Sequence, residues 1–343
     1  MAKPKIVILG TGGTIAGQAD TSTQGVGYRA GQLTVQSLLQ AVPDLPQLAA
    51  GRTGAVLDAA QLAQIDSKDM DWNVWRTLLV AVQQALADDA TQALVITHGT
   101  DTLEETAWLL QAVLQPAKPV VLTCAMRPAT SLQADGPQNL RDAVAVAASG
   151  KAGGRAGVWV VAAGQAHSAQ QVLKVHPYRL NAFSSYEGGP CAYIEEGCVR
   201  WLGSAAAGLP WSAQDVERLL AAETLPWVEI VQSGALQGAR AVQALVAAGV
   251  QGLVVAGTGN ATVHQAMHQA LLEARNQGVE VWVTSRCLEG QVVTSAEAVA
   301  WQASSDAISA HLVRSTGNAE LDYVLLPPSK ARVAMMLDLL RWY

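Results

Sequence analysis

The apolar run Lys5-Ile6-Val7-Ile8-Leu9 breaks directly into Gly10-Thr11-Gly12-Gly13-Thr14-Ile15-Ala16-Gly17. A buried strand that ends in glycines lets backbone N–H groups approach a ligand closely, so this junction constrains the fold and the site together. Phosphate cradles do not need two hydroxyls in such a loop. Thr11 and Thr14 therefore read as nucleophiles or as turn residues bonding their own backbone. Thr97-His98-Gly99-Thr100-Asp101-Thr102 repeats the layout after the strand-like Ala93–Ile96. Two threonine loops of this kind shift the reading towards chemistry.

Strand-like runs alternate with helical stretches through the first half of the chain. Lys5–Leu9, Ala93–Ile96, Pro119–Thr123 and Gly157–Ala162 are short and rich in Val, Ile and Leu, and between them Met70–Ala87, Thr102–Leu114 and Pro137–Ala148 carry apolar residues at helical spacing. That order predicts an α/β fold, a mostly parallel doubly wound sheet covered on both faces, with ligands beyond the carboxyl ends of its strands. Thr102 and Glu105 fit a capping box at the start of the helix after Ile96. The Gly- and Pro-containing stretch 202–225 reads as a linker between an N-terminal domain, 1–201, and a smaller C-terminal α/β domain, 226–343. Val228–Val231, Gly252–Ala256, Glu280–Thr284 and Asp306–Leu312 are its expected strands.

Composition excludes several classes. The chain has 343 residues, 50% hydrophobic and 15% charged, which fits a globular protein of about two domains. A net charge of −6 without any basic run argues against nucleic acid as a partner. The most apolar segment, Ala241–Gly257, is interrupted by glutamine and glycine and reads as helix then strand, so no membrane span is expected. Met1-Ala2-Lys3-Pro4 enters the first strand at once, leaving no room for a signal peptide. With Cys124, Cys191, Cys198 and Cys287 spaced unlike metal ligands, the cytoplasm is the expected compartment, although Cys191 and Cys198 flank a possible hairpin and could face each other. His264 and His268 stand four apart, but Gln265 replaces the glutamate of a zinc-protease helix, so no metal is expected. The glycine loop fits the dinucleotide fingerprint poorly, and no cofactor is expected.

Together these segments resemble the bacterial-type L-asparaginase/glutaminase amidohydrolases. The resemblance rests on GTGGTIAG, on His98-Gly99-Thr100-Asp101-Thr102 with Glu104, Glu105 and Ala107, and on Ser67-Lys68-Asp69-Met70, Ala125-Met126-Arg127-Pro128, Ala134–Leu140 and Gly257-Thr258-Gly259-Asn260, in order along the chain. It implies deamidation of L-asparagine to aspartate and ammonia by double displacement through a threonyl ester. A glutaminase-asparaginase of broad range, or a catalytically dead amino-acid sensor of the same fold, are the alternatives.

The resemblance also implies roles for individual residues. Thr14 is the matching nucleophile, under a lid, Gln18–Gly31, that carries Tyr28. Thr100, Asp101 and Lys174 match a second cluster in which the lysine serves as base. The order in which the two threonines act stays open. Ser67 and Asp101 match positions that hold the substrate's α-carboxylate and α-amino groups, and Ala125 falls among the substrate-binding positions. Lys68 stands where the secreted type has glutamine. An extended ammonium there is expected to crowd the substrate's α-end and favour asparagine over glutamine. Asn260 and Glu297 match residues that the family contributes from a neighbouring subunit, which implies a homo-oligomer, a tetramer of intimate dimers.

Overall fold

A computed structural model describes residues 3–149, 156–204, 211–290, 292–293, 312–313 and 321–342. It divides into two compact units, Met1–Gly208 and Leu209–Tyr343. The first contains, in order, β1 (Lys5–Gly12), α1 (Val35–Gln40), α2 (Leu45–Thr53), β2 (Val56–Ile65), α3 (Trp72–Ala87), β3 (Thr91–Thr97), α4 (Leu103–Leu114), β4 (Pro119–Thr123), α5 (Gly136–Ala148), β5 (Gly157–Ala162), β6 (Gln165–Ser168), β7 (Leu173–Lys174), β8 (Phe183–Ser184), β9 (Ala192–Glu195) and β10 (Cys198–Trp201).

Eight strands form one sheet in the order β10-β9-β6-β5-β4-β3-β1-β2. The five from β2 to β5 run parallel, and β6, β9 and β10 continue as an antiparallel edge. Every position of β4 and β5 is buried, the signature of a sheet covered on both faces. Ile6, Ile8, Ala93 and Val95 join Leu38, Leu45 and Leu140 in one core cluster, and the alternate residues Val7, Leu9, Leu94 and Ile96 are buried on the other face. Helix α3 covers part of that second face. Asp71 caps it by accepting from Val74 N at 2.9 Å, and Trp75, Leu78, Leu79 and Val82 are its buried stripe, each fully buried leucine contributing about 2 kcal/mol.

β2 was not apparent in the sequence. Its Ala- and Gln-rich interior lacks the β-branched signal, and it lies at the sheet edge with exposed residues alternating along it. β1 therefore has β2 on one side and β3 on the other, and the winding of the sheet reverses there. Crevices at such reversals, beyond the carboxyl ends of the strands, are where open α/β sheets bind ligands. Both threonine loops leave the sheet at this point.

The second unit contains α6 (Ala213–Ala221), β11 (Val228–Gln232), α7 (Arg240–Ala247), β12 (Gly252–Gly257), α8 (Gln265–Asn276), β13 (Glu280–Ser285), β14 (Leu312–Val313), β15 (Asp322–Val324) and α9 (Pro328–Trp342). Its sheet runs β11-β12-β13-β15-β14, parallel except for β14. Helix α6 lies inside the segment expected as linker. A Ser212–Asp215 capping box starts it, and buried Val216 and Leu219 hold it down. The expected strand at Asp306–Leu312 falls outside the described residues except for Leu312. Among the described residues no helix is long and apolar enough to cross a membrane.

Cys191 and Cys198 do not face each other. In the β9–β10 hairpin Cys198 pairs with Glu195, whereas Trp201 pairs with Ala192, which leaves Cys191 at the far end. Cys191 is buried, Cys198 is exposed, and neither is in a disulfide.

The two threonine loops meet backbone to backbone. A Cβ built at Gly13 would strike Gly99 Cα and N and would approach His98 C to 2.8 Å, and the φ of Gly13 is +81°. Gly13→Ala should therefore cost about 2–4 kcal/mol and lower Tm by roughly 5–15 °C. Gly54, at φ +70° with nothing near its Cβ position, is the control. Gly54→Ala should cost only about 1 kcal/mol. Equal Tm losses in thermal unfolding would overturn the close-approach argument.

Candidate active site

Strand β1 is followed by a single 3-10 turn, Thr14–Ala16, entered through Gly12 and Gly13 at φ +105° and +81°. The two threonines part ways here. Thr11 is buried and donates to Thr97 O at 3.0 Å, which staples β1 to β3 and leaves it no role as a nucleophile. Thr14 Oγ1 lies 2.5 Å from Tyr28 Oη. The segment 18–31 brings Tyr28 there by closing on itself, with Gln18 and Arg29 exchanging backbone bonds of 2.9 and 2.8 Å and Gly31 N donating to Gly13 O at 3.0 Å. Burial is the chief cause that raises the Tyr28 pKa, with Asp66 and Asp101 adding to it against the Thr14 bond. At neutral pH the phenol keeps its proton and acts as a hydroxyl that can relay one.

The loop after β3 is set by a buried relay. His98 Nδ1 donates to Gly99 O at 2.7 Å, so Nε2 accepts from Thr106 Oγ1 at 3.0 Å, and Thr106 Oγ1 accepts from Trp75 Nε1 at 2.9 Å. Burial lowers the His98 pKa to about 4, which keeps the ring neutral, and the Gly99 carbonyl fixes this tautomer. Beyond it, Thr100 Oγ1 accepts from Lys174 Nζ at 2.8 Å, and Lys174 Nζ also reaches Asp101 Oδ1 at 2.5 Å. The Thr100 hydroxyl points its own hydrogen towards Asp101 Oδ1 at 3.4 Å. Lys174 belongs to β7, which pairs with β8, and its backbone N donates to Glu104 Oε2 at 2.6 Å. Its side chain is only 17% exposed against 50% for Asp101, so the ammonium is aimed inward at Thr100.

Ser67 joins the same cluster from the turn after β2. Its Oγ accepts from Asp101 N at 3.1 Å and its carbonyl accepts from Thr102 Oγ1 at 2.8 Å. Thr102 thus spends its hydroxyl on Ser67 and not on a cap, and the expected capping box with Glu105 is not made. Lys68 turns away. Its ammonium is bonded to Asp69 and lies 3.9 Å from Asp66, with the side chain 60% exposed. Asp69 draws its pKa upward. The expected crowding of the substrate's α-end has no geometric basis in this placement.

Ala125 is buried at the end of β4, in a loop held by Asp135. That carboxylate accepts from Met126 N at 2.9 Å and Arg127 N at 2.9 Å, and Asn139 Nδ2 bonds Cys124 O at 3.0 Å. Burial raises the Asp135 pKa while these N–H groups oppose it. The Ala134–Leu140 motif is therefore a brace for the loop after β4. In the second unit Asn260 closes its amide on Val293, with both bonds at 2.7 Å. Glu297 lies outside the described residues. His264 caps α8 by accepting from Ala266 N at 3.2 Å.

Glu104, named in the sequence only as part of a motif, anchors the backbone of Lys174. Its only signal was its place beside Asp101 in the second threonine motif.

Comparison with known proteins matches the family model "Asparaginase, N-terminal" over residues 5–207 and "Glutaminase/Asparaginase C-terminal domain" over 227–341. The chain is 36% identical to L-asparaginase 2 of Escherichia coli (strain K12) over 343 residues, 99% of this chain and 90% of that one. It is 35% identical to the glutaminase-asparaginase of Pseudomonas fluorescens biotype A over 289 residues, 84% of this chain and 77% of that one. A crystal structure of a probable cytoplasmic L-asparaginase from Campylobacter jejuni matches with a TM-score of 0.82 at 35% identity, covering 98% of this chain and 95% of that one.

Proposed function

Because this chain belongs to the asparaginase/glutaminase family, we propose that it is an L-asparaginase working by double displacement on Thr14. The observation that carries this reading is the pair of hydroxyl clusters, Thr14–Tyr28 and Thr100–Lys174–Asp101, at the carboxyl ends of the neighbouring strands β1 and β3. A lone threonine hydroxyl is a weak nucleophile, and each one here has a partner able to take or relay its proton. The Thr14 oxygen attacks the side-chain amide carbon while its proton passes to Tyr28 Oη and the phenol's own proton moves on to the amide nitrogen. The C–N bond breaks, ammonia leaves with that proton, and the aspartyl group stays as an ester on Thr14. Water then attacks the ester, giving a proton to Thr100 Oγ1 as the Thr100 hydrogen moves to Asp101 Oδ1 beside the Lys174 ammonium, and aspartate departs as a proton returned through Tyr28 re-forms the Thr14 hydroxyl. Ser67 and Asp101 hold the substrate's α-carboxylate and α-ammonium, and no cofactor enters. An amino-acid sensor of the same fold has no need of two proton-relaying clusters.

Thr14→Ala removes one hydroxyl from the turn after Gly13. The variant should keep its fold and bind aspartate, and kcat for ammonia release from asparagine should fall about 10³-fold or more. Activity above a tenth of wild type would sink the assignment.

The N-terminal domain, 1–201, carries the threonines, and we assign the C-terminal domain, 226–343, to completing a neighbouring subunit's site through Asn260 and Glu297. The assembly is a homotetramer of intimate dimers. Inactive Thr14→Ala chains refolded with inactive Glu297→Ala chains should regain part of the activity, since each hybrid dimer holds one intact site. Mixtures no more active than either parent would place each site within one chain. The compartment that fits four cysteines outside any disulfide, two buried and two exposed, is the reducing cytoplasm.

The outward turn of Lys68 changes the expectation for substrate choice. Lys68→Gln should leave the glutamine:asparagine ratio of kcat/KM within about 2-fold of wild type, because the pocket's contacts stay as they are. A change of tenfold in either direction, measured with both substrates, would mean that the ammonium leaves Asp69 when substrate binds.

A further inference from the structure

We propose that Arg127 and Tyr178 form a platform that seats the segment carrying Tyr28 and couples it to the hairpin carrying Lys174. The Arg127 guanidinium lies 3.8 Å from the centroid of the Tyr178 ring. Its NH1 donates to Tyr178 O at 2.8 Å and to Met126 O at 3.2 Å, so one nearly buried cation holds both the ring and the backbone of Tyr178. Stacking a guanidinium on a ring while its N–H groups reach carbonyls is a geometry that lysine cannot reproduce. Arg127 is itself fixed, because Asp135 accepts its backbone N–H. Tyr178 sits in the turn between β7 and β8, four residues beyond Lys174.

Segment 18–31 rests on this platform. A Cβ added at Gly25 would lie 3.0 Å from Tyr178 Oη and 3.4 Å from Arg127 Cδ. Two further bonds pin the segment to the loop after β4, from Leu132 N to Ser22 O at 3.0 Å and from Ala19 N to Thr130 Oγ1 at 2.9 Å. Tyr28 and Lys174 serve different threonines, and the platform is the place where the elements bearing them touch the same two side chains. Arg127 and Tyr178 are positioning residues that deliver Tyr28 to Thr14. This role rests on the Thr14–Tyr28 reading above.

Two readouts test it separately from that reading. The first is native tryptic cleavage after Arg29, an exposed residue within the segment, quantified by mass spectrometry without substrate. The second is kcat and KM for asparagine. Tyr178 is half exposed, so its variants should fold, and circular dichroism checks that. Tyr178→Ala should speed the cleavage about 10-fold and lower kcat about 10-fold with KM within about 2-fold, whereas Tyr178→Phe, which keeps the ring under the guanidinium, should stay within about 2-fold in both. Gly25 is not in the left-handed region, so the one tight contact that Gly25→Ala adds is with the tyrosine oxygen, the 3.4 Å to Arg127 Cδ being ordinary packing. It should lower kcat in the wild-type background and cost nothing beside Tyr178→Phe. Unchanged cleavage in Tyr178→Ala, a loss confined to KM, or an equal cost of Gly25→Ala in both backgrounds would overturn the platform. If the wild type releases no ammonia, the asparaginase reading fails, and the cleavage rates still decide whether the segment is seated here.

Discussion

The site depends on one contact, the approach of the Gly13 backbone to that of Gly99. Parallel strands β1 and β3 deliver their loops side by side where the sheet reverses its winding, and only residues without a Cβ let the loops interlock. Gly13 N also donates to Ile65 O at 2.8 Å, which draws in the end of β2 and, just beyond it, Ser67. Three strand ends thus converge through backbone geometry before any reactive side chain is placed. Thr14, Ser67 and Thr100 inherit their positions from that convergence.

Around this backbone knot the polar groups divide by the kind of partner they meet. Thr11, Thr102, Thr106 and His98 spend their hydrogen bonds on neighbouring carbonyls, hydroxyls or rings inside the protein. Thr14 and Thr100 instead meet groups that can exchange a proton, a tyrosine whose burial keeps it protonated and a lysine paired with Asp101. Threonines of identical chemistry within ten residues of one another serve opposite purposes, and the partner decides which.

Much of the frame was legible in the sequence. β4 and β5 begin and end at the residues where their apolar runs do, because strands buried on both faces need unbroken hydrophobicity. β2 escaped notice, since an edge strand of alanine and glutamine carries little β signal, and α6 hid in a stretch whose glycines and prolines suggested a connector. The glycine loops were legible as breaks at the strand ends, but side-chain partners were less readable. The interaction of Lys174 with Thr100 spans 74 positions, and that of Arg127 with Tyr178 spans 51, separations at which no local pattern exists. Tyr28 and Lys174 were singled out only through the family's motifs. The direction in which Lys68 points depended on Asp69, which the sequence displayed beside it without saying which would win, solvent, substrate or neighbour.

The placement of β1 between β2 and β3 also bears on how the protein comes to exist. Lys5 is in register with Val56 on one side and Thr91 on the other, so β1, made before either partner, waits for both before it is a strand at all. Non-local pairing of this kind is slow, because long loops must close before the contacts repay them. The turn that carries Thr14 lies at the end of that waiting strand. During synthesis Thr14 and Thr100 therefore remain apart until the sheet has closed around them, and a half-made chain carries both threonines without their arrangement.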